Sequence, residues 1–109
     1  MKSISTHVLD VSRGRPAQGV HVVLSRADGT VVTDASTDAD GRVKDLVAEG
    51  ELVPGVYRVR FDTGAYFGAA GIETFYPEAT IVFVVRDANA HYHVPLLLSP
   101  FGYSTYRGS

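Results

Sequence analysis

The strongest constraint on this chain is a series of short runs in which apolar and polar residues alternate, each run closed by turn residues. Alternation at period two places successive side chains on opposite faces, the mark of a half-buried strand. Tyr57-Arg58-Val59-Arg60-Phe61 is the cleanest case, with Tyr57, Val59 and Phe61 inward and both arginines outward. Val20, Val22 and Leu24 share a face in the same way. Thr80 to Val85 is apolar on both faces and predicts a strand covered on both sides. Tyr92 to Leu98 predicts a further strand whose core set is Tyr92, Val94, Leu96 and Leu98. Its Pro95 has no backbone N–H, which predicts an edge-like or bulged position. Ile4 to Val11, Thr30 to Thr37, Arg42 to Lys44 and Tyr103 to Arg107 supply four shorter pieces.

Turn chemistry separates these runs at Gly14-Arg15-Pro16, Asp28-Gly29, Asp40-Gly41, Pro54-Gly55, Asp87-Ala88-Asn89 and Pro100-Phe101-Gly102. Asp28-Gly29 reads as a tight hairpin turn. Thr63 to Gly71 is the one stretch with helical character, and its three glycines keep any helix short. Eight short strands at this spacing predict an all-β sandwich of antiparallel sheets. A length of 109 residues fits one domain spanning 1–109.

Composition narrows the function. Lys+Arg number 10 against 12 Asp+Glu, a balance that offers no field for nucleic acid or an acidic membrane. Without cysteine there is no disulfide, thiolate nucleophile or thiolate metal site. No apolar segment follows Lys2 and no run reaches membrane-spanning length, so the expected location is the cytoplasm.

The chemistry then rests on histidine and arginine. On a strand with Tyr92, Val94, Leu96 and Leu98 inward, His91 and His93 point away from the core, toward solvent or a partner subunit. His7 lies on another strand, with Leu9 and Val11 on its side. Two same-face histidines plus His7 permit a zinc reading, but no carboxylate lies near them in sequence, and the expectation is that no metal or cofactor is required. Arg42 follows the Asp40-Gly41 turn and is either a solvated residue or a planar donor for an anionic, carbonyl-rich ligand. His21, beside Val23 and Ser25, reads as a surface residue. Phe101, Tyr103 and Tyr106 near the C-terminus predict a docked tail.

Three stretches together resemble one family. They are Ile4-Ser5-Thr6-His7-Val8-Leu9-Asp10 running on to Gly14-Arg15-Pro16-Ala17-Gln18-Gly19-Val20, then Thr37-Asp38-Ala39-Asp40-Gly41-Arg42, then His91 to Pro100 with the terminal Tyr106-Arg107-Gly108-Ser109. Phe75-Tyr76-Pro77-Glu78 fits as well. The sequence resembles the 5-hydroxyisourate hydrolases, the enzymatic branch of the transthyretin-related proteins, over nearly its whole length. That resemblance implies a transthyretin-like (prealbumin-like) sandwich of two four-stranded antiparallel sheets with one short helix. It implies a homotetramer, a dimer of dimers, with sites in the channel where the dimers meet. By motif, His7, Arg42, His93 and Ser109 fall on the catalytic positions, while His91, Tyr106, Arg107 and Gly108 fall on residues that line the same site.

The implied reaction is hydrolysis of the N1–C6 amide of 5-hydroxyisourate in urate degradation. A neutral histidine suits the base, since its reference pKa is about 6.5. Arg42 suits the developing oxyanion. Which of His7 and His93 is the base stays open at this level. The alternative is a non-catalytic transthyretin-like or regulatory β-sandwich binding module, which would share the scaffold stretches but not the histidines and tail. A hormone carrier is a third reading, and the hormone-carrying transthyretins lack these residues.

Overall fold

The alternating runs do form strands. In a computed structural model, which describes residues 3–47 and 51–108, the chain runs β1 (Ser3–Asp10), β2 (Arg15–Pro16), β3 (His21–Arg26), β4 (Val31–Ser36), β5 (Arg42–Val43), β6 (Gly55–Phe61), α1 (Thr63–Ala69), β7 (Ala79–Val85), β8 (His91–Ser99) and β9 (Gly102–Thr105). The first sheet has the order β2-β1-β8-β9, with β5 also paired to β1. The second has the order β4-β3-β6-β7 and is antiparallel throughout.

The architecture is the expected all-β sandwich, but the first sheet has five strands rather than four, because β2 and β5 share one edge of β1, and it is not antiparallel throughout. β1 and β8 run parallel, Ser3 opposite His91 through Asp10 opposite Leu98. Parallel neighbours need a long crossover. Here most of the chain supplies it by passing through the second sheet between them. The free edge of β1 is covered in two lengths. β2 pairs with Leu9 and Asp10, and β5 pairs with Thr6 and His7. The Gly14-Arg15-Pro16 stretch, expected to be only a break, thus carries a short strand.

The core joins the inner faces of both sheets. Ile4, Val8, Leu96 and Leu98 meet Val22, Leu24, Tyr57, Val59 and Phe61, and Phe67 of α1 joins the same cluster. Burying each of the larger side chains contributes on the order of 1.5–3 kcal/mol. β1 also turns two polar residues inward, and both are satisfied. Thr6 donates to the Val94 carbonyl at 2.6 Å. Asp10 accepts from the Ser12 and Tyr66 hydroxyls at 2.5 and 2.7 Å.

Three local expectations change. β7 is an edge strand, and its outward Val82 and Val84 are exposed rather than covered, because none of the described residues packs over that face. Pro95 sits in the interior strand β8, yet its ladder position is interrupted on the β9 side. β9 ends opposite Leu96 and pairing resumes only where His93 meets Gly108. The Thr105 hydroxyl donates to the Pro95 carbonyl at 2.7 Å in place of a backbone donor. The tail is held, but not by burying aromatic rings, since Phe101 and Tyr106 are exposed. The hairpin at Asp28-Gly29 matches expectation, with Gly29 at φ +91 and its N–H donating to the Arg26 carbonyl. Among the described residues no helix is long and apolar enough to cross a membrane.

Candidate active site

The outer face of the β1–β8 sheet is built by register. On β1, Ser3, Ser5 and His7 alternate with the inward Ile4, Thr6 and Val8. On β8, His91 and His93 alternate with the inward Tyr92 and Val94. The parallel register sets Ser3 beside His91, Ser5 beside His93, and His7 beside Pro95. The β5 pairing sets Arg42 directly opposite His7, so both side chains leave the same face. His7, Arg42 and the His91/His93 pair are far apart in sequence and come together only through these pairings.

Two glycines make the placement possible. Gly41 has φ +74, and its N–H donates to the Asp38 carbonyl at 2.9 Å while its own carbonyl accepts from Val8 N–H at 2.7 Å. A Cβ there would lie 2.3 Å from the Val8 carbonyl oxygen. Only glycine lets this turn press onto β1 and deliver Arg42 to His7. The Asp38 carboxylate completes the turn by accepting the Arg42 and Asp40 backbone N–H groups at 3.0 and 2.9 Å. The bond from the Arg42 N–H holds that carboxyl below its ordinary range.

Gly108 is the second. Its N–H donates to the His93 carbonyl at 2.9 Å, and a Cβ on it would lie 2.5 Å from His93 Cδ2. The tail therefore lies against the His93 ring. Arg107 fastens it from the other side, its guanidinium 4.8 Å from the centre of the Tyr92 ring. Tyr106 and Arg107, with His93, Thr105, Ile81 and Phe83, line a cavity of about 400 Å³. A second cavity of about 340 Å³ is lined by Ser5, Thr6, Arg42, Lys44 and His91. Ser109 lies outside the described residues.

The electrostatics favour a neutral His93. Burial, followed by the nearby charges of Arg42, His7 and His91, pushes its pKa below the ordinary histidine value. His93 is half-buried and His91 is exposed. Among the described residues no group of three or more His, Asp or Glu side chains is arranged to hold a metal ion.

Two residues escaped the sequence reading. Ser5 Oγ lies 2.8 Å from His93 Nδ1 and 3.1 Å from His91 Nε2, and Ser3 Oγ lies 2.8 Å from His91 Nδ1. The signal was present, since Ser3, Ser5 and His7 sit at spacing two on one strand face. His21 also has more company than expected, though on the other sheet. Its Nδ1 meets Asp62 at 2.5 Å and its Nε2 meets Asp34. The hydrogen bond to Asp62, then that to Asp34, raises its pKa.

Comparison with known proteins places the chain in a family. A family model described as the HIUase/Transthyretin family matches residues 4–108. A 5-hydroxyisourate hydrolase of Salmonella dublin is 50% identical over 109 residues, covering 97% of this chain and 80% of that protein. The structure of Klebsiella pneumoniae 5-hydroxyisourate hydrolase superimposes with a TM-score of 0.90 at 44% identity, covering 100% of this chain and 94% of that one. Transthyretin from Sparus aurata gives a TM-score of 0.92 at 37% identity, covering 99% and 97%. The matched region holds both sheets and the histidine face, and on these grounds the chain belongs to the HIUase/transthyretin family.

Proposed function

We propose that this chain hydrolyses the N1–C6 amide of 5-hydroxyisourate to 2-oxo-4-hydroxy-4-carboxy-5-ureidoimidazoline. The fold alone does not separate hydrolase from carrier, because it is shared with a transthyretin. The observation that carries the reading is the convergence of His7, Arg42 and His93 on one sheet face by strand register. His93 is the general base: it is kept neutral, its Nδ1 is engaged by Ser5, and among the described residues none bonds its other nitrogen, which takes the water. Water attacks C6, the oxyanion forms against the Arg42 guanidinium, and the C6–N1 bond breaks as N1 takes a proton. His7, opposite Arg42, orients the water or supplies that proton. Ser109 joins the catalytic set by its place after Gly108. His91, Tyr106 and Gly108 line the substrate, and we assign Arg107 to anchoring the tail through Tyr92.

A homotetramer, built as a dimer of dimers with the site in the channel between them, belongs to the same reading. Its support is that Arg42 and His91 are exposed in the single chain, so the face needs a partner to exclude water. The test follows the absorbance of 5-hydroxyisourate generated by urate oxidase. Added protein should accelerate its loss beyond the spontaneous rate. Decay at the spontaneous rate with micromolar folded protein would overturn the assignment.

A further inference from the structure

The histidine face holds a continuous chain of polar contacts, Ser3–His91–Ser5–His93, of which the proposed chemistry uses only the Ser5–His93 link. We propose that Ser5 is a positioning residue for the reaction, its hydroxyl setting which nitrogen of His93 faces the substrate and passing the proton's charge on to His91. This rests on the hydrolase reading above.

Proton counting carries the argument. Ser5 has one hydroxyl proton and is within reach of two imidazole nitrogens. If both contacts are hydrogen bonds, one imidazole donates to Ser5 and the other accepts from it. A base at His93 Nε2 needs its lone pair there, so the proton sits on Nδ1 and is donated to Ser5. Ser5 then donates to His91 Nε2, and His91 donates from Nδ1 to Ser3. This setting is complete and leaves His93 Nε2 bare. Ser5 is buried and the two rings lie nearly parallel, with centroids 6.5 Å apart, so little water competes for its hydroxyl.

The chain also balances during turnover. When Nε2 takes a proton from water, the Nδ1 proton moves to Ser5 and the Ser5 proton moves to His91 Nε2. The positive charge then rests on exposed His91, where solvent screens it from the neighbouring Arg42 and Lys44, instead of on half-buried His93. His93 remains neutral with its proton on Nε2, ready for the departing N1. Donation there returns the chain to its starting setting by the reverse shifts, with no co-reactant.

The experiment combines kinetics with ¹⁵N NMR of the imidazole nitrogens. Wild-type protein is assayed first, and failure there sinks the hydrolase reading without touching the tautomer question. Ser5→Ala should lower kcat on the order of 10-fold or more with KM within about twofold, and Ser5→Thr should restore most of the loss. In resting wild-type protein His93 should carry its proton on Nδ1, and in Ser5→Ala this preference should vanish. The NMR arm on wild type needs neither turnover nor a folded variant. A resting proton on Nε2 would overturn the proposal. So would wild-type kcat in folded Ser5→Ala, or a Ser5→Thr variant as slow as Ser5→Ala.

Discussion

Replacing Gly108 with alanine places a methyl carbon against the ring proposed as the general base. That carbon would lie 2.5 Å from His93 Cδ2, 3.1 Å from Cγ and 3.2 Å from Cβ, while ordinary contact begins near 3.4 Å. Ring or tail must therefore yield by about 0.9 Å. The ring has little room to retreat, because its Nδ1 is held by Ser5 at 2.8 Å. Moving it by that amount stretches the contact toward about 3.7 Å, beyond a hydrogen bond. If the tail lifts instead, the 2.9 Å bond from Gly108 N–H to the His93 carbonyl is lost. Either way the catalytic groups are misplaced by about 1 Å, which costs on the order of 10²-fold in kcat/KM, or about 2.7 kcal/mol of transition-state stabilisation. The φ of Gly108 is not left-handed, so alanine brings no backbone strain, and the tail lies outside the core. Melting by circular dichroism should change by no more than a few degrees, while the 5-hydroxyisourate assay shows the loss. A Gly108→Ala enzyme within about threefold of wild type would refute the packing argument.

Single substitutions His7→Asn, Arg42→Gln and His93→Asn should each lower kcat/KM on the order of 10²-fold or more with strands intact by circular dichroism; wild-type turnover in any one removes that residue from the mechanism. Burial and neighbouring positive charge depress the His93 pKa, so this base stays neutral to lower pH than a free histidine. The acid limb of kcat/KM should fall below about pH 6.5, and Arg42→Gln should move it upward; a wild-type limb above that value would contradict the assignment. His21 lies on the other sheet, so His21→Asn should leave kcat/KM within about twofold of wild type. Its folded pKa is raised by Asp62 and Asp34, so its stabilisation is full below about pH 6.5 and is lost as pH rises through the folded value. The melting difference between wild type and His21→Asn should therefore be larger near pH 5.5 than near pH 9, and a pH-independent difference would show that the clasp carries no charge.

Much of this molecule was legible because strand patterning is local. Tyr57, Val59 and Phe61 alternate with two arginines, and all three are buried. Tyr92, Val94, Leu96 and Leu98 are inward as expected, which by parity sends His91 and His93 outward. Burial requires that parity whatever the strand pairs with, since a one-residue slip would bring charge into the core. The motif resemblance added His7, Arg42 and the tail.

Partnership is where local pattern stopped. Nothing in Ile4 to Val11 says that β1 lies parallel to a strand more than 80 residues away, or that β2 and β5 divide its other edge. His21 looked solitary because Asp34 comes from the neighbouring strand and Asp62 from the entry to α1. The tail looked like a case of aromatic docking, yet Gly108 and Arg107 hold it while Tyr106 stays exposed. By itself the sequence determined the longer strands, their inward faces and the residues proposed for catalysis, because those depend on side chains within a few positions of one another. Tertiary structure alone decided that Ser5 stands between two imidazoles, that Arg42 faces His7 and that Gly108 lies on the His93 ring, because register between distant strands is chosen by the burial of the whole core.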